Sequence, residues 1–311
     1  MSSVLNLFVP NSTVLNQPMF EIFELREDGE IGIAAIAEPF FRLCDNPELA
    51  DWIIIPLFSS SLTSENGLRF IRETFQLSQK LRKPLGIFSN SDIIVDPKVN
   101  PITIFTPGAY ASMKNQVELP ALLPYDPVEK WKNSTWESIE YSGFIKIGFC
   151  GQATRNPLKF LKDLYTIENL RFKKKKRKSP FLYIPRFLPA FERGRLLRSL
   201  ENSKILQTDF LLRSHYKAGA ITKEEKDKVE KEFYSNIDSN LFTLCLRGMG
   251  NYSVRFYQTL AMGRIPVLID TDSKLPFENR IPYEELIVRI PFQDRFNTEA
   301  YLLKFLKGKS S

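Results

Sequence analysis

Between Leu246 and Gln258 the chain reads LRGMGNYSVRFYQ. Gly248 and Gly250 follow Arg247, then come Asn251, Ser253, Arg255 and Gln258. These residue types in this order suit an anionic oxygen ligand. Glycine lets backbone turn tightly or approach a ligand closely. Asn251 or Ser253 can cap a helix that starts here. A helix N-terminus presents unpaired N–H groups and a partial positive charge. Guanidinium matches phosphate oxygens bidentately, which makes Arg247 and Arg255 candidate phosphate ligands. Arg255 and Gln258, three residues apart, share one helix face. The alternative is a surface loop with solvated arginines, because a single glycine-rich loop has low specificity.

The elements around this loop must position it. Leu241–Leu246 is apolar, β-branched or aromatic throughout and reads as a buried strand. A helix is expected to about Met262, with Phe256, Tyr257, Leu260 and Ala261 toward a sheet and Gly263 as its stop. Ile265–Ile269 is the next strand. In such a strand–loop–helix–strand unit the loop lies at the carboxyl end of a strand, where open α/β sheets bind ligands. A second strand, Lys146–Cys150, leads into another glycine loop, Gly151-Gln152-Ala153-Thr154-Arg155-Asn156, and a helix at Pro157–Tyr165.

The ordered run CLRGMGNYSVRFYQTLAMGRIPVLIDTDSKLPF resembles the donor-site signature of exostosin-like glycosyltransferases. That pattern has a strand ending in C-x-R-G, a Ser-x-Arg on the helix, a Gly-x-Ile-Pro-Val strand and then Leu-Pro-Phe. The match is good over the last third of the chain and loose in the middle. The resemblance implies a GT-B-like α/β fold, with two Rossmann-like parallel-sheet domains facing a central cleft. It implies transfer of a sugar from a nucleotide sugar, usually a UDP-sugar, to a glycan or lipid-linked glycan, as in surface polysaccharide synthesis. Arg247, Gly248, Gly250, Asn251, Ser253, Arg255 and Gln258 would then bind the donor. A comparable family loop supplies small and basic residues to the diphosphate, which adds Gly151 and Arg155. Arg213, ahead of His215-Tyr216-Lys217-Ala218-Gly219, lies in a short motif that resembles bacterial members. The family usually has Glu at the position of Gln258; Gln can still hydrogen-bond a hydroxyl but loses the charge-assisted contribution. A non-catalytic or altered nucleotide- or carbohydrate-binding protein of the same fold is therefore the alternative function.

Two residues are candidate general bases. His215 is the sole histidine and titrates near neutrality when unperturbed; Asp92 stands at a strand end in the first half. His215 could equally serve as a local hydrogen-bonding residue. Asp270-Thr271-Asp272 has the spacing of a D-x-D motif for a divalent ion on donor phosphates. Its context favours a strand-end turn, so neither a metal nor any cofactor beyond the nucleotide-sugar co-substrate is expected. No G-x-S-x-G elbow or Walker loop is present, which argues against a serine hydrolase and a P-loop NTPase.

With 311 residues, 43% of them hydrophobic and 25% charged, the chain can bury one large core or two ordinary ones. Strands at Val4–Val9, Trp52–Leu57, Leu85–Phe88 and Ile102–Phe105, with a helix at Glu65–Leu81 capped by Thr63 or Ser64, indicate a parallel α/β sheet in the first half. Phe20–Leu25 can be read as helix or extended chain. Pro120–Trp136 reads as an irregular link, giving an acceptor-side domain over 1–140 and a donor domain over 141–311. Helices are expected at Phe191–Leu200, with Arg195 and Arg198 on one face, at Thr222–Ile237 behind a Thr222/Glu225 capping box, and at Thr298–Leu306. Lys204–Arg213 and Leu286–Ile290 complete the strands.

The formal net charge is +7, and Arg171–Lys178 (RFKKKKRK) alone holds seven basic residues and no acid. Such a run reads as a solvated, mobile loop. Contact with an anionic membrane or glycolipid surface is the alternative, and nucleic acid a weaker one, since no nucleic-acid-binding motif accompanies it. Met1–Asn11 shows no signal-peptide pattern, and Trp52–Phe58 is too short to cross a bilayer. The three cysteines, Cys44, Cys150 and Cys245, are an odd, scattered set. Cys150 and Cys245 lie in strand-like apolar runs and read as buried thiols, and the set suggests a reduced, cytoplasmic protein that could sit peripherally at the inner membrane face.

Overall fold

The computed structural model describes residues 4–10, 22–27, 30–56, 64–89, 92, 94–95, 102–132, 135, 137–139, 143–176 and 182–308. It comprises two α/β units. One contains Met1–Leu119, Leu170–Ile184 and Lys274–Pro276; the other contains Pro120–Asn169, Pro185–Ser273 and Phe277–Ser311. Residues 120–139 thus group with the second half of the chain. Each unit carries its own parallel sheet, as the alternation of strands and helices implies.

In the N-terminal unit the strands are β1 (Leu5–Phe8), β2 (Phe23–Leu25), β3 (Ile31–Ile33), β4 (Phe41–Leu43), β5 (Trp52–Ile55), β6 (Leu85–Phe88), β7 (Ile94–Val95), β8 (Ile102–Thr106) and β9 (Gln116–Glu118). The main sheet runs β4-β1-β5-β6-β8-β9, parallel throughout. Helix α1 (Glu65–Leu81) starts at Ser64, whose side chain accepts from Gly67 N, and ends at Arg82 in the left-handed region. The other proposed cap, Thr63, lies outside the described residues. α1 buries Leu68, Phe70 and Ile71 against Ile53, Ile55, Leu85, Ile87, Ile102 and Ile104. The ambiguous Phe20–Leu25 stretch resolves, where described, into β2, which forms an antiparallel hairpin with β3.

The C-terminal unit begins with α2 (Pro127–Lys132), inside the stretch read as an irregular link. Asp126 Oδ1 accepts from Val128 N at 2.8 Å and Pro127 opens the helix, an ordinary capping arrangement. Val128 then packs with Tyr234, Ile237 and Met262, and this tertiary burial sustains so short a helix. Next along the chain come β10 (Ile145–Gln152), α3 (Pro157–Lys176), the short strand β11 (Leu182–Tyr183), α4 (Pro189–Glu201) and β12 (Leu206–Arg213). Of these, β11 and the Leu170–Lys176 end of α3 group with the N-terminal unit, where β11 pairs with β7. The remainder is α5 (Lys223–Asp238), β13 (Phe242–Leu246), α6 (Val254–Ala261), β14 (Ile265–Asp270), α7 (Tyr283–Leu286), β15 (Val288–Pro291) and α8 (Thr298–Lys307). Thr222 and Glu225 form the expected reciprocal capping box on α5, and Gly263 takes φ +66° just past α6.

The reading of 171–178 as a loop is corrected over its first six residues: Arg171–Lys176 are the last turns of α3, and residues 177–178 lie outside the described set. Lysine and arginine are good helix formers and suit the negative end of the helix dipole, so the helix begun at Pro157 does not stop at Tyr165.

The C-terminal sheet is ordered β12-β10-β13-β14-β15, parallel throughout. In chain order this is 2-1-3-4-5. Successive strands therefore step outward in opposite directions from the β10–β13 pair, which is the topological switch point. Phe149, Phe242, Leu244, Leu246, Val267, Ile269 and Ile290 line one face of this sheet and pack against Leu196, Leu197 and Leu200 of α4 and Leu302 of α8.

Candidate functional site

Three arginines converge on the carboxyl ends of β10 and β13. Arg255, in the first turn of α6, donates from Nη2 to the Cys150 carbonyl at 2.8 Å and lies 4.3 Å over the Phe149 ring. Its Nε is buried without a hydrogen-bond partner among the described residues. A Cβ at Gly151 would stand 2.6 Å from Arg255 Nη2, so the glycine makes room for the guanidinium. Arg193, from α4, donates to the carbonyls of Gln152 at 3.2 Å, Leu246 at 3.2 Å and Arg247 at 2.8 Å. Its Nε is also buried and unpartnered among the described residues. Arg247 donates to Asn251 Oδ1 at 2.8 Å and to the Met249 carbonyl at 2.6 Å, with its guanidinium 5.0 Å from the Phe187 ring.

Burial, then the neighbouring charge of Arg255, pushes the Arg193 guanidinium down to about 9. Burial also lowers Arg255. Among the described residues neither arginine forms a salt bridge with a carboxylate; each bonds only to neutral carbonyl oxygens. Enclosing a cation without a counter-charge is unfavourable, and an incoming anion would relieve that cost. Burial also drives the adjacent Cys245 thiol up to about 12, so it supplies no negative charge at neutral pH.

The loop between β13 and α6 is held from within. Asn251, 1% exposed, accepts from Arg247 and from Thr271 Oγ1 at 2.8 Å and donates to the Asp272 carbonyl at 3.1 Å. Of the two proposed caps, Ser253 occupies the N-cap position but makes no side-chain cap bond, and Asn251 is engaged elsewhere in the loop. A Cβ at Gly248 would meet nothing within 4 Å, so space lies beside that backbone. Gly250 is buried. Gln258 donates to Tyr234 Oη at 3.0 Å.

The other predicted residues have different surroundings. Arg155 pairs with Glu201 at 2.5 Å, and Arg213 with Glu232 at 3.2 Å and the Val229 carbonyl at 3.0 Å. His215 is exposed just beyond β12, with Nδ1 at 2.9 Å from Ser214 Oγ. Gln152 Nε2 donates to the Ser214 carbonyl at 3.1 Å, which joins this turn to the end of β10. Asp92 is exposed and belongs to the N-terminal unit. In the D-x-D segment Asp270 accepts from Ser273 N at 2.7 Å and from Arg289 Nε at 2.8 Å, so its carboxylate completes a turn. Among the described residues no group of three or more His, Cys, Asp or Glu side chains could hold a metal ion.

Sequence reasoning misses Arg193 and points to its neighbours Arg195 and Arg198, both of which are exposed. The signal that could have found it is Gly194. A glycine inside a helix costs roughly 1 kcal/mol relative to alanine and so implies a close approach. A Cβ there would lie 2.1 Å from the Thr154 carbonyl oxygen.

Residues 189–303 match the Exostosin GT47 domain family model. A probable glucuronosyltransferase of Oryza sativa subsp. japonica is 36% identical over 62 residues, covering 20% of this chain and 15% of the relative. A probable beta-1,4-xylosyltransferase of Arabidopsis thaliana matches to the same extent. The matched stretch is thus a small part of these plant proteins. The exostosin-like resemblance seen in the sequence is supported independently over 189–303, a segment that contains Arg193, Arg247 and Arg255.

Proposed function

We propose that this protein is a glycosyltransferase that moves a sugar from a nucleoside-diphosphate sugar, with UDP as the leaving nucleotide, to a glycan or lipid-linked glycan acceptor in polysaccharide synthesis. The observation that carries this reading is the pair of enclosed guanidinium groups, Arg193 and Arg255, bonded only to carbonyls at the switch point of a parallel sheet. A diphosphate has the charge and oxygen geometry to satisfy both. Arg247 and the first N–H groups of α6 would add to the same field.

In this mechanism a base takes the proton of an acceptor hydroxyl, and the oxygen forms a bond to the anomeric carbon. The bond from that carbon to the donor phosphate oxygen breaks, and its electron pair leaves on the diphosphate. Arg193, Arg255 and Arg247 stabilise the negative charge that develops there, without a metal being required. His215, beside the end of β10, and Asp92, in the N-terminal unit, are the two candidate bases. The test is initial rates with a panel of UDP- and GDP-sugars and glycan acceptors. Arg255→Ala should lower transfer by roughly 10- to 100-fold, because losing one charge-assisted partner costs about 1.5–3 kcal/mol. Arg255→Lys should recover part of this.

A second reading rests on Gln258. Its amide bonds to the Tyr234 hydroxyl, so the side chain acts inside the fold. A protein of this fold that binds nucleotide or carbohydrate without turnover would show saturable UDP binding and no product across the panel. Gln258→Glu separates the two: a rise in transfer favours the enzyme, and no product in either form favours the binding protein.

A further inference from the structure

Midway along β10, Gly148 lies between Asp209 of β12 and Thr243 of β13 in the sheet register. Register partners in a parallel sheet turn their side chains to one face. The end of α5 covers that face: a Cβ at Gly148 would stand 2.7 Å from Asn240 Nδ2 and 3.0 Å from Asn236 Oδ1. The missing side chain lets both asparagines reach the sheet. Asn236 is 8% exposed, Asn240 1% and Thr243 0%.

Both amide nitrogens are committed. Asn236 Nδ2 donates to the Asp209 carbonyl and to Asp209 Oδ2, each at 2.9 Å. Asn240 Nδ2 donates to Asp209 Oδ2 and to the Asn236 carbonyl, each at 2.7 Å. Turning either amide over would set oxygen against oxygen, so the orientation of both groups is fixed. Asn236 Oδ1, Asn240 Oδ1 and Thr243 Oγ1 are then buried without a hydrogen-bond partner among the described residues. Buried oxygens are ordinarily satisfied, and three open ones around a single glycine point to a ligand.

The donor set identifies its chemistry. Every open atom is an oxygen. Asp209 adds a negative charge, and among the described residues its carboxylate is met only by the two amide groups, with no ion pair. Asp238, at the end of α5, is by contrast matched by Lys132 at 2.8 Å and Arg264 at 2.6 Å. We infer that Asn236, Asn240 and Thr243 bind a monovalent metal cation, sodium or potassium, beside the Asp209 carboxylate. Hard cations take amide, hydroxyl and carboxylate oxygens. One carboxylate suits one positive charge, and the described residues include no His, Cys, Asp and Glu group of the size that holds a heavier metal. A water would satisfy the three oxygens but leave the Asp209 charge unmatched. The cation ties α5 to the sheet two residues before the Cys150 carbonyl that receives Arg255.

The test is the melting temperature of the whole protein in sodium, potassium or choline chloride at one ionic strength. Wild type should melt higher with a metal cation than with choline, by about 3–6 °C for each tenfold rise in cation above its dissociation constant. Thr243→Val removes one ligand at nearly constant shape. It should melt below wild type in the metal salt and at or above it in choline, where the hydroxyl it replaces has no partner. Should Thr243→Val fail to fold, wild-type crystals soaked in thallium acetate give a second reading: an anomalous peak should lie among Asn236 Oδ1, Asn240 Oδ1 and Thr243 Oγ1. The inference is overturned if wild type melts alike in all three salts, or if Thr243→Val keeps the full cation response. It is overturned equally if the thallium crystals show only a water at these oxygens.

Discussion

The two sheets share the strand order 2-1-3-4-5, which the N-terminal one extends by a strand, yet the polar groups at one strand end of each are settled in opposite ways. In the N-terminal unit Glu118 accepts from Ala109 N at 2.8 Å, and Gln116 Oε1 accepts from Tyr110 N at 2.7 Å. Thr106 Oγ1 accepts from Gly108 N at 3.2 Å. Side-chain acceptors there meet backbone donors, and the turn after β8 is closed on itself. At the ends of β10 and β13 in the C-terminal unit the enclosed groups are donors and cations instead. Arg193 and Arg255 hold carbonyls, and each keeps a buried Nε without a partner among the described residues. One scaffold thus supports a self-satisfied turn in one place and an uncompensated positive charge in another. The second state persists only if packing forces it, and a ligand that supplies the counter-charge gives it a function.

The largest effect should come from Gly194→Ala. The added Cβ would meet backbone oxygen at 2.1 Å, which no rotamer change relieves. α4 must move off Thr154, withdrawing Arg193 from its carbonyls. Overpacking of this kind costs about 3 kcal/mol, or about 6–12 °C of melting temperature in a domain of this size. An unchanged melting curve would mean that α4 does not seat Arg193 in this way.

Arg193→Ala should weaken UDP-dependent stabilisation by about 10- to 100-fold in affinity. pH sharpens the point, because the folded value of Arg193 lies below its unfolded one. Between the two the unfolded chain binds more protons, so the stability of the ligand-free protein should rise as pH rises through about 9. A bound diphosphate favours the charged guanidinium, so the extra stability it confers should be full at neutral pH and decline over the same interval. Melting curves with and without UDP across that range read both trends; parallel curves would separate Arg193 from the ligand.

Glu118→Gln is the smallest change. Gln retains an oxygen for Ala109 N but loses the charge-assisted part, so a cost of about 1 kcal/mol is expected, with nucleotide affinity unaltered. A change in affinity would break the contrast between the two units.

Much of this architecture was legible because it follows from periodicity. Glu65–Leu81 is α1 to the residue, and Thr222 and Glu225 announce α5 through their spacing. Leu85–Phe88 and Phe242–Leu246 are runs without a charged residue, apolar or β-branched almost throughout, and every residue in them is buried. Short elements fixed by tertiary contact were not legible. β4 and β9 have three residues each, and α2 depends on Val128 meeting Tyr234 and Ile237. For the site, Arg247, Arg255 and the glycines could be located because they are close in sequence. Arg193 could not, since it reaches the loop from another helix and only Gly194 marks the approach. Arg155 and Arg213 read as phosphate ligands by type, but Glu201 and Glu232, distant in sequence, lie within bonding distance of them.

Calorimetric titration of UDP into wild type and Arg255→Ala tests the central claim most directly. A diphosphate seated on the enclosed arginines should give one saturable site in wild type and about 10- to 100-fold weaker binding in the variant, at a retained melting transition. No heat of binding in wild type, or the same affinity in both proteins, would contradict the assignment of this sheet end as the diphosphate site.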